Sequence, residues 1–335
     1  MDPFTNSLLS WHRKNARDLP WKESKDPYLI WISEIILQQT RVAQGTPYYL
    51  KFIERFPDVF SLARASEDEV MKFWEGLGYY SRARNLHYSA KKIVTDHDGK
   101  FPSTYENILG LKGVGPYTAA AISSFAFDLP YAVVDGNVYR VLARYFGIEK
   151  SIDETQTKKE MAALAQELIP DDKPAFFNQA IMDFGATVCT PDKPLCLFCP
   201  LQEHCLAWNK GISRLLPLRS KKIKKRERFL HFFLCLENNS ITIRKRNQGI
   251  WKGLYELPMV EKETKGAILK RIPEETKLIG THQHLLTHQK LHLYFYQLPA
   301  LPSWISEKNL LRIPIHNWTK YSYPKPILTF LKDYF

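Results

Sequence analysis

Long apolar runs are missing from this chain. No stretch of its 335 residues reaches the roughly 18 unbroken apolar positions that a membrane-spanning helix needs, which argues against a helical membrane protein. The opening residues, MDPFTNSLLSWHRKN, also lack the charged start, apolar run and small-residue cleavage site of a secretory signal. The expectation is a soluble, intracellular, cytoplasmic protein with no membrane partner, in a compartment that keeps thiols reduced. Cysteine is scarce, at five residues, so a disulfide framework is not what organises the chain. Low-complexity segments and a convincing internal repeat are absent as well. Acidic residues run short: 35 Asp and Glu face 47 Lys and Arg, a formal charge of +12. Such a surplus suits a polyanion, either nucleic acid or an anionic membrane surface, without saying which.

What is present suffices for two cores. With 335 residues and 44% apolar side chains, two domains can each bury an interior. Up to about residue 212, apolar positions recur at three- and four-residue spacing, which predicts helices over 28–38, 67–74, 83–94, 117–127, 137–146, 157–168 and 174–186. Turn-formers such as Phe56-Pro57-Asp58, Asp98-Gly99 and Ile169-Pro170-Asp171 separate them. Near Leu215 the character changes. The run from Arg219 to Arg228 is a basic linker, readable equally as a solvated hinge or as a phosphate grip. Beyond it, 229–236, 240–246 and 291–298 are rich in strand-formers, with turn signals at Asn238-Asn239 and Gly249. The fold class is therefore α + α/β: an all-helical domain at 1–212, a linker at 213–227, and a smaller mixed α/β domain at 228–335.

Three constellations carry chemistry. Four cysteines fall within seventeen residues as Cys189-x6-Cys196-x2-Cys199-x5-Cys205, and four thiolates on a compact loop can hold one metal centre. Structural zinc usually shows two close Cys pairs; here only Cys196 and Cys199 are close, and spacing rules alone leave zinc and an iron–sulfur cluster about equally open. Cys235, in an apolar run, reads as core. In Leu111-Lys112-Gly113-Val114-Gly115-Pro116, two glycines permit a sharp turn and a close approach. The free N–H groups of the next helix then face outward, which suits a phosphate, although a plain helix–turn–helix corner fits too. Glu34 lies in Ile30-Trp31-Ile32-Ser33-Glu34-Ile35-Ile36-Leu37 without a charged sequence neighbour. Burial would raise its pKa until it holds a proton at neutral pH and can deliver it; the alternative is a salt bridge to a distant arginine. Asp135 precedes a predicted helix, where capping is the ordinary role of Asp.

In combination these residues resemble the helix–hairpin–helix superfamily of base-excision glycosylases, which includes endonuclease III and the MutY family. The resemblance covers nearly the whole chain, and its motifs stand in the superfamily's order. The six–two–five cysteine spacing resembles the superfamily's iron–sulfur loop, and Leu111 to Ala120 its hairpin. Trp31-Ile32-Ser33-Glu34-Ile35-Ile36-Leu37-Gln38-Gln39-Thr40 and Val134-Asp135-Gly136-Asn137-Val138 resemble the blocks that carry the catalytic Glu and Asp in the MutY family. The resemblance implies a [4Fe–4S] cluster on Cys189, Cys196, Cys199 and Cys205, and double-stranded DNA bound by a monomer, with Gly113 and Gly115 on phosphate. It implies that Glu34 protonates adenine N7 and later helps water attack, and that Asp135 stabilises an oxocarbenium-like sugar. Asn137 and Tyr117 would orient and polarise this pair, in a relative of glycoside hydrolysis. Endonuclease III-like enzymes place a Schiff-base lysine at position 117 and cut the strand; Tyr117 implies hydrolysis alone.

A base stacked in a duplex must be rotated out before it can react. By the same resemblance Gln39, Thr40, Leu77 and Tyr79 wedge into the gap. Leu19 and Trp21 wall the base pocket, Lys22 stands beside them, and Gln179 contacts the adenine edge. Ordinary alternatives are core aromatics for Trp21 and Tyr79, and a helix-end polar residue for Gln39. Gly249-Ile250-Trp251-Lys252-Gly253-Leu254-Tyr255-Glu256-Leu257-Pro258 resembles the Nudix-related second domain of the MutY family. Residues 261–280 offer only Glu274-Glu275 of the acidic pattern a Nudix hydrolase needs, which implies lesion recognition rather than pyrophosphate hydrolysis. His284-Leu285-Leu286-Thr287-His288 resembles the recognition loop, normally centred on Phe-Ser-His; here Thr287 and His288 keep the polar contacts and Leu286 removes the aromatic one. His282, His284, His288 and His292 read as strand positions rather than as a zinc site. The implied activity is release of adenine mispaired with 8-oxoguanine or guanine. Two competing readings are an endonuclease III-like glycosylase/lyase and a non-catalytic iron–sulfur DNA-binding protein.

Overall fold

The computed structural model describes residues 2–220, 225–262, 275–301 and 310–335. Lys221, Lys222, Ile223 and Lys224 of the basic linker, and Glu274, lie outside the described residues. The chain divides into two compact units, one built from residues 1–63 and 88–221, the other from 64–87 and 222–335. The N-terminal helices are α1 (Pro3–Asn15), α2 (Pro27–Leu37), α3 (Val42–Arg55), α4 (Val59–Arg64), α5 (Glu67–Phe73), α6 (Ser81–His97), α7 (Tyr105–Leu109), α8 (Pro116–Phe127), α9 (Gly136–Tyr145), α10 (Thr155–Leu168), α11 (Pro174–Thr187) and α12 (Leu206–Asn209). Among the described residues no helix is long and apolar enough to cross a membrane.

Local signals start the helices that matter for the first unit. Asp26 accepts from the Tyr28 N–H at 2.8 Å, and Pro27, with its φ already set, opens α2. That helix is apolar on every side, so it can only be buried; Ile30 through Ile36 are all buried, Glu34 among them. Helix α3 contains Gly45 and Pro47, which weaken its helical signal, yet Tyr49 and Phe52 are buried and tertiary packing decides the matter. Gly45 permits the close approach of α2 and α3: a Cβ there would stand 2.9 Å from Leu37 Cδ2. Helix α11 packs against α1, α8 and α9. Phe4, Leu8, Val138, Leu142, Phe177, Ile181 and Phe184 form a core there, and Cys189, Cys199 and Cys205 pack against it.

The second unit is a mixed sheet. Its strands are β1 (Arg226–Glu237), β2 (Ser240–Lys245), β3 (Tyr255–Glu256), β4 (Met259–Lys262), β5 (Lys277–Leu285), β6 (Gln289–Leu298) and β7 (Leu310–Pro314), followed by α13 (Lys325–Tyr334). The order is β3-β2-β1-β6-β5, with β4 also on β1 and β7 on β2. Strands β1 and β6 run parallel at the centre. Leu230 to Cys235 are buried without alternation, as expected of a strand covered on both faces. Asn238 and Asn239, at φ 47° and 55°, make the two-residue turn into β2. Within this unit residues 64–87 lie against the sheet's C-terminal connections: Lys72 Nζ donates to the Tyr321 carbonyl at 3.0 Å, and the Tyr323 N–H donates to Glu75 Oε1 at 2.7 Å. Strands β3, β4 and β7 were not predicted, and of β5 only His282 and His284 were read as strand positions; β5 is largely exposed and shows little apolar alternation, and His288, also read as a strand position, lies in the turn between β5 and β6.

Asn178, fully buried on α11, fastens the extended segment that leads to Asp135. Its Oδ1 accepts from the Val133 N–H at 3.0 Å, and its Nδ2 donates to Ser124 Oγ at 2.9 Å and the Tyr131 carbonyl at 2.8 Å. Asn178→Ala would leave these groups buried without partners. Urea unfolding should show a loss of roughly 2–4 kcal/mol; stability equal to the parent would mean the segment holds without this amide.

Candidate active site

A cavity of about 530 Å³ opens in the first unit, and its lining includes Leu19, Trp21, Lys22, Glu34, Thr40, Tyr117, Asp135, Asn137 and Gln179. Residues spread over more than 150 positions of sequence thus meet at one hollow. Glu34 enters from α2, 5% exposed. Burial, first of all, raises its pKa to about 7; a hydrogen bond with Tyr117 lowers it, and the charge of Asp135 raises it. Tyr117, in the first turn of α8, is itself pushed well above the ordinary phenol value by burial. Among the described residues the partner of Glu34 is this phenol and not an arginine.

Asp135 both caps a helix and faces the cavity. Its Oδ1 accepts from the Asn137 and Val138 N–H groups at 2.8 Å each, and its Oδ2 accepts from Asn137 Nδ2 at 2.8 Å. Burial raises its pKa, and these hydrogen bonds pull against the rise. The chain of contacts continues inward. Arg140 Nη2 donates to Asn137 Oδ1 at 2.8 Å and to the Gly185 carbonyl at 2.7 Å, and its Nε donates to the Cys189 carbonyl at 2.7 Å. Gly185 is required there: a Cβ would stand 2.7 Å from Asn137 Cβ. Arg140, Arg17 and Asp183 also line the cavity, and sequence reasoning missed all three. Asp183 lies one helical turn beyond Gln179, and that spacing was the available signal.

Gly113, at φ 88°, makes the hairpin turn between α7 and α8, where a side chain would be strained. Gly115 caps α8 without a side-chain hydrogen bond, so the first amides of the helix remain for an anion. Gln39 is exposed at the end of α2 with φ 57°, a conformation costly for a non-glycine residue. In the second unit a hollow of about 510 Å³ gathers Leu77, Tyr79, Trp251, Thr287 and His288. There the Tyr79 hydroxyl and Thr287 Oγ1 are hydrogen-bonded at 2.7 Å. Tyr79 is half exposed at φ 47°, whereas Leu77 is buried at 7%.

The cysteine loop is held by Arg144, whose guanidinium donates to the Thr190 and Pro191 carbonyls at 2.7 and 2.9 Å and to Cys189 Sγ at 3.4 Å. Burial pushes the Cys199 thiol up to about 12, and Cys189, Cys205 and Cys196 push it in the same direction. Thiols that oppose one another's ionisation this way suit a cationic centre that would stabilise all four as thiolates. Among the described residues no three His, Cys, Asp or Glu side chains converge tightly enough for a single ion. Four cysteine thiols on one loop are the donor set that a [4Fe–4S] cluster takes.

An all-helical unit with a glycine hairpin, a four-cysteine loop and two carboxyl groups facing one cavity, Glu34 buried and Asp135 half-buried, has the architecture of a helix–hairpin–helix DNA glycosylase. Residues 32–171 match the HhH-GPD superfamily of base excision DNA repair proteins, and residues 231–333 match the NUDIX domain family. The adenine DNA glycosylase of Buchnera aphidicola subsp. Acyrthosiphon pisum is 33% identical over 342 residues, covering 99% of this chain and 97% of that protein. That of Mus musculus is 44% identical over 216 residues, covering 62% of this chain and 42% of that protein. A thermostable thymine-DNA glycosylase of known structure superposes with a TM-score of 0.58 at 34% identity, over 62% of this chain and 95% of that one. Endonuclease III in a non-covalent DNA complex shares the fold, at a TM-score of 0.54 and 21% identity over 62% of this chain and 95% of that one. The chain belongs to the MutY family of adenine DNA glycosylases, base-excision repair enzymes that hydrolyse N-glycosyl bonds.

Arg140→Lys keeps the charge and loses the fork that holds Asn137 and the loop carbonyls. Single-turnover adenine release should slow by about a hundredfold, the scale set by small misplacements of reacting groups. A rate within twofold of the parent would show that the fork does not position Asp135.

Proposed function

We propose that this enzyme releases adenine paired with 8-oxoguanine, or with guanine, by hydrolysis alone. The observation that carries this reading is the buried Glu34 carboxyl, its pKa raised to about 7 by burial and hydrogen-bonded to Tyr117, with the Asp135 carboxyl facing the same cavity. Glu34 gives its proton to N7 of the extruded adenine, and the protonated purine leaves as a neutral base. Asp135, steadied by Asn137 and the first amides of α9, faces the cationic sugar left behind. Glu34, now a carboxylate, takes a proton from the water that attacks the sugar. Tyr117 offers a phenol where a lysine would form a Schiff base, so strand cleavage does not follow.

Leu19 and Trp21 wall the base, and the Gln179 amide can pair with a purine edge. The amides at Gly113 and Gly115 hold phosphate. Gln39, Thr40, Leu77 and Tyr79 fill the space vacated by the flipped nucleotide, and Thr287 with His288 read the opposite base. Cys189, Cys196, Cys199 and Cys205 would hold a [4Fe–4S] cluster, which when bound supplies a thiolate-ligated iron centre that cross-links the loop. In this reading residues 1–212 do the chemistry on double-stranded DNA, 213–227 link, 228–335 recognise the lesion, and a monomer suffices.

The raised pKa of Glu34 fixes the sign of the pH dependence. The acid form is present below about pH 7 and is lost above it. Single-turnover adenine release should fall with rising pH through that value, approaching about tenfold per pH unit. Glu34→Gln should cost at least about 10²–10⁴ in rate while duplex binding persists. A rate flat from pH 6 to 9 would remove Glu34 as the acid. Thr287→Ala should narrow the preference for 8-oxoguanine over guanine opposite adenine by several-fold, roughly the worth of one hydrogen bond. An unchanged ratio would take Thr287 out of lesion recognition.

A further inference from the structure

One charged cluster in the cavity wall has no part in this proton transfer. Asp183 projects from α11 one turn beyond Gln179, with its side chain 1% exposed. Its Oδ1 accepts from Arg17 Nε at 2.7 Å; its Oδ2 accepts from Lys22 Nζ at 2.5 Å and from the Arg17 N–H at 3.1 Å. His12 Nδ1 of α1 lies 3.7 Å from the same oxygen. Arg17, Lys22 and Asp183 all line the cavity with Glu34 and Gln179. Burying a carboxylate with its cations is a poor way to gain stability, because desolvation cancels most of the attraction; an apolar contact would hold the segment as well. What the arrangement does achieve is geometric. A lysine stem that would otherwise sample many rotamers is held with its ammonium at the cavity wall.

We propose that Asp183 is a positioning residue that fixes the Lys22 ammonium as a charged hydrogen-bond donor to the base, so that the pocket selects purines with an unprotonated ring nitrogen at that edge. The inference rests on the reading of this cavity as the adenine pocket. The charged and titratable groups facing Lys22 are Asp183 from α11, Arg17 from its own segment and His12 from α1. Burial lowers the Lys22 pKa most, Arg17 lowers it further, and the hydrogen bond and charge of Asp183 oppose both. Burial also lowers the His12 pKa, so the imidazole is neutral at pH 7 and leaves Asp183 to the two cations. Removing the Asp183 charge leaves only the lowering influences, and the amine then loses its proton at a lower pH.

The test uses the full chain and a pair of duplexes, one with an uncleavable 2′-fluoro adenine nucleotide opposite 8-oxoguanine, the other with an abasic site in its place. The ratio of their dissociation constants isolates contacts to the base from contacts to phosphate. Asp183→Asn should reduce that ratio by roughly tenfold at pH 7, the scale of a hydrogen bond to a charged group. It should also make the ratio decline at a lower alkaline pH than in the parent. Lys22→Arg in the Asp183→Asn background should abolish the alkaline decline, because a guanidinium stays charged. A merely structural Asp183 predicts neither the decline nor its rescue. A profile parallel to the parent's, or a decline that Lys22→Arg leaves intact, overturns the proposal. Should Asp183→Asn fail to fold, Lys22→Met takes its place: it must reduce the base-dependent ratio by a similar factor, and a ratio equal to the parent's overturns the proposal. Glu34→Gln separates the two levels. Adenine release by that variant would sink the reading of the cavity, whereas its inactivity beside a parent-like Asp183→Asn would sink only the role of Asp183.

Discussion

A carboxyl group kept out of water without a counter-ion is the constraint around which the first unit is arranged. Placing Glu34 inside an all-apolar helix is unfavourable for the charged form, and the molecule responds by keeping the proton rather than by supplying an arginine. Tyr117 satisfies the group with a hydrogen bond and adds no charge. The Asp135 charge raises the Glu34 pKa further. The two carboxyls share a cavity and differ in partners, phenol against amides, and the proposed division of tasks between them rests on that difference.

Rigidity around Asp135 comes from arginines used as spacers. Arg140 reaches from the Asn137 amide to the Cys189 carbonyl, and Arg144 holds the carbonyls that follow. A planar fork meets several carbonyls in a fixed geometry, which an ammonium cannot do. The cysteine loop and the helix cap at Asp135 therefore share a support. In the second unit the same economy holds: Arg82 lies between the Trp74 and Tyr79 rings and donates to the Gly78 carbonyl at 3.2 Å, bracing a turn whose residues Gly76, Gly78 and Tyr79 are left-handed.

Legibility in the sequence follows the range of the interaction. Helices α2, α8, α9 and α11 could be read because periodicity, Pro at the first turn and Asp caps act within a few residues. The Asn238-Asn239 turn was legible for the same reason. Helix α3 was not, because Gly45 and Pro47 hide a helix that exists through its packing. Strand β5, exposed along most of its length, carries little pattern to find. Glu34 and Asp135 stood out as chemically unusual, yet from local sequence each had an ordinary reading of equal or greater weight. Arg17, Arg140 and Asp183 carried no local signal beyond helical spacing.

The sequence by itself determined an α-helical part followed by a β-rich part, a basic chain, a four-thiol loop, a glycine hairpin and a glutamate with no charged sequence neighbour in an apolar helix. Each is a property of neighbouring residues, and local sterics or solvation dictate it. Only the tertiary structure decided that Glu34 meets Tyr117 instead of an arginine, that Asn137 and Arg140 connect Asp135 to the cysteine loop, and that Asp183 gathers Arg17 and Lys22 at the cavity. Those pairings join residues far apart along the chain. Their free energy depends on burial and distance, which no single segment contains.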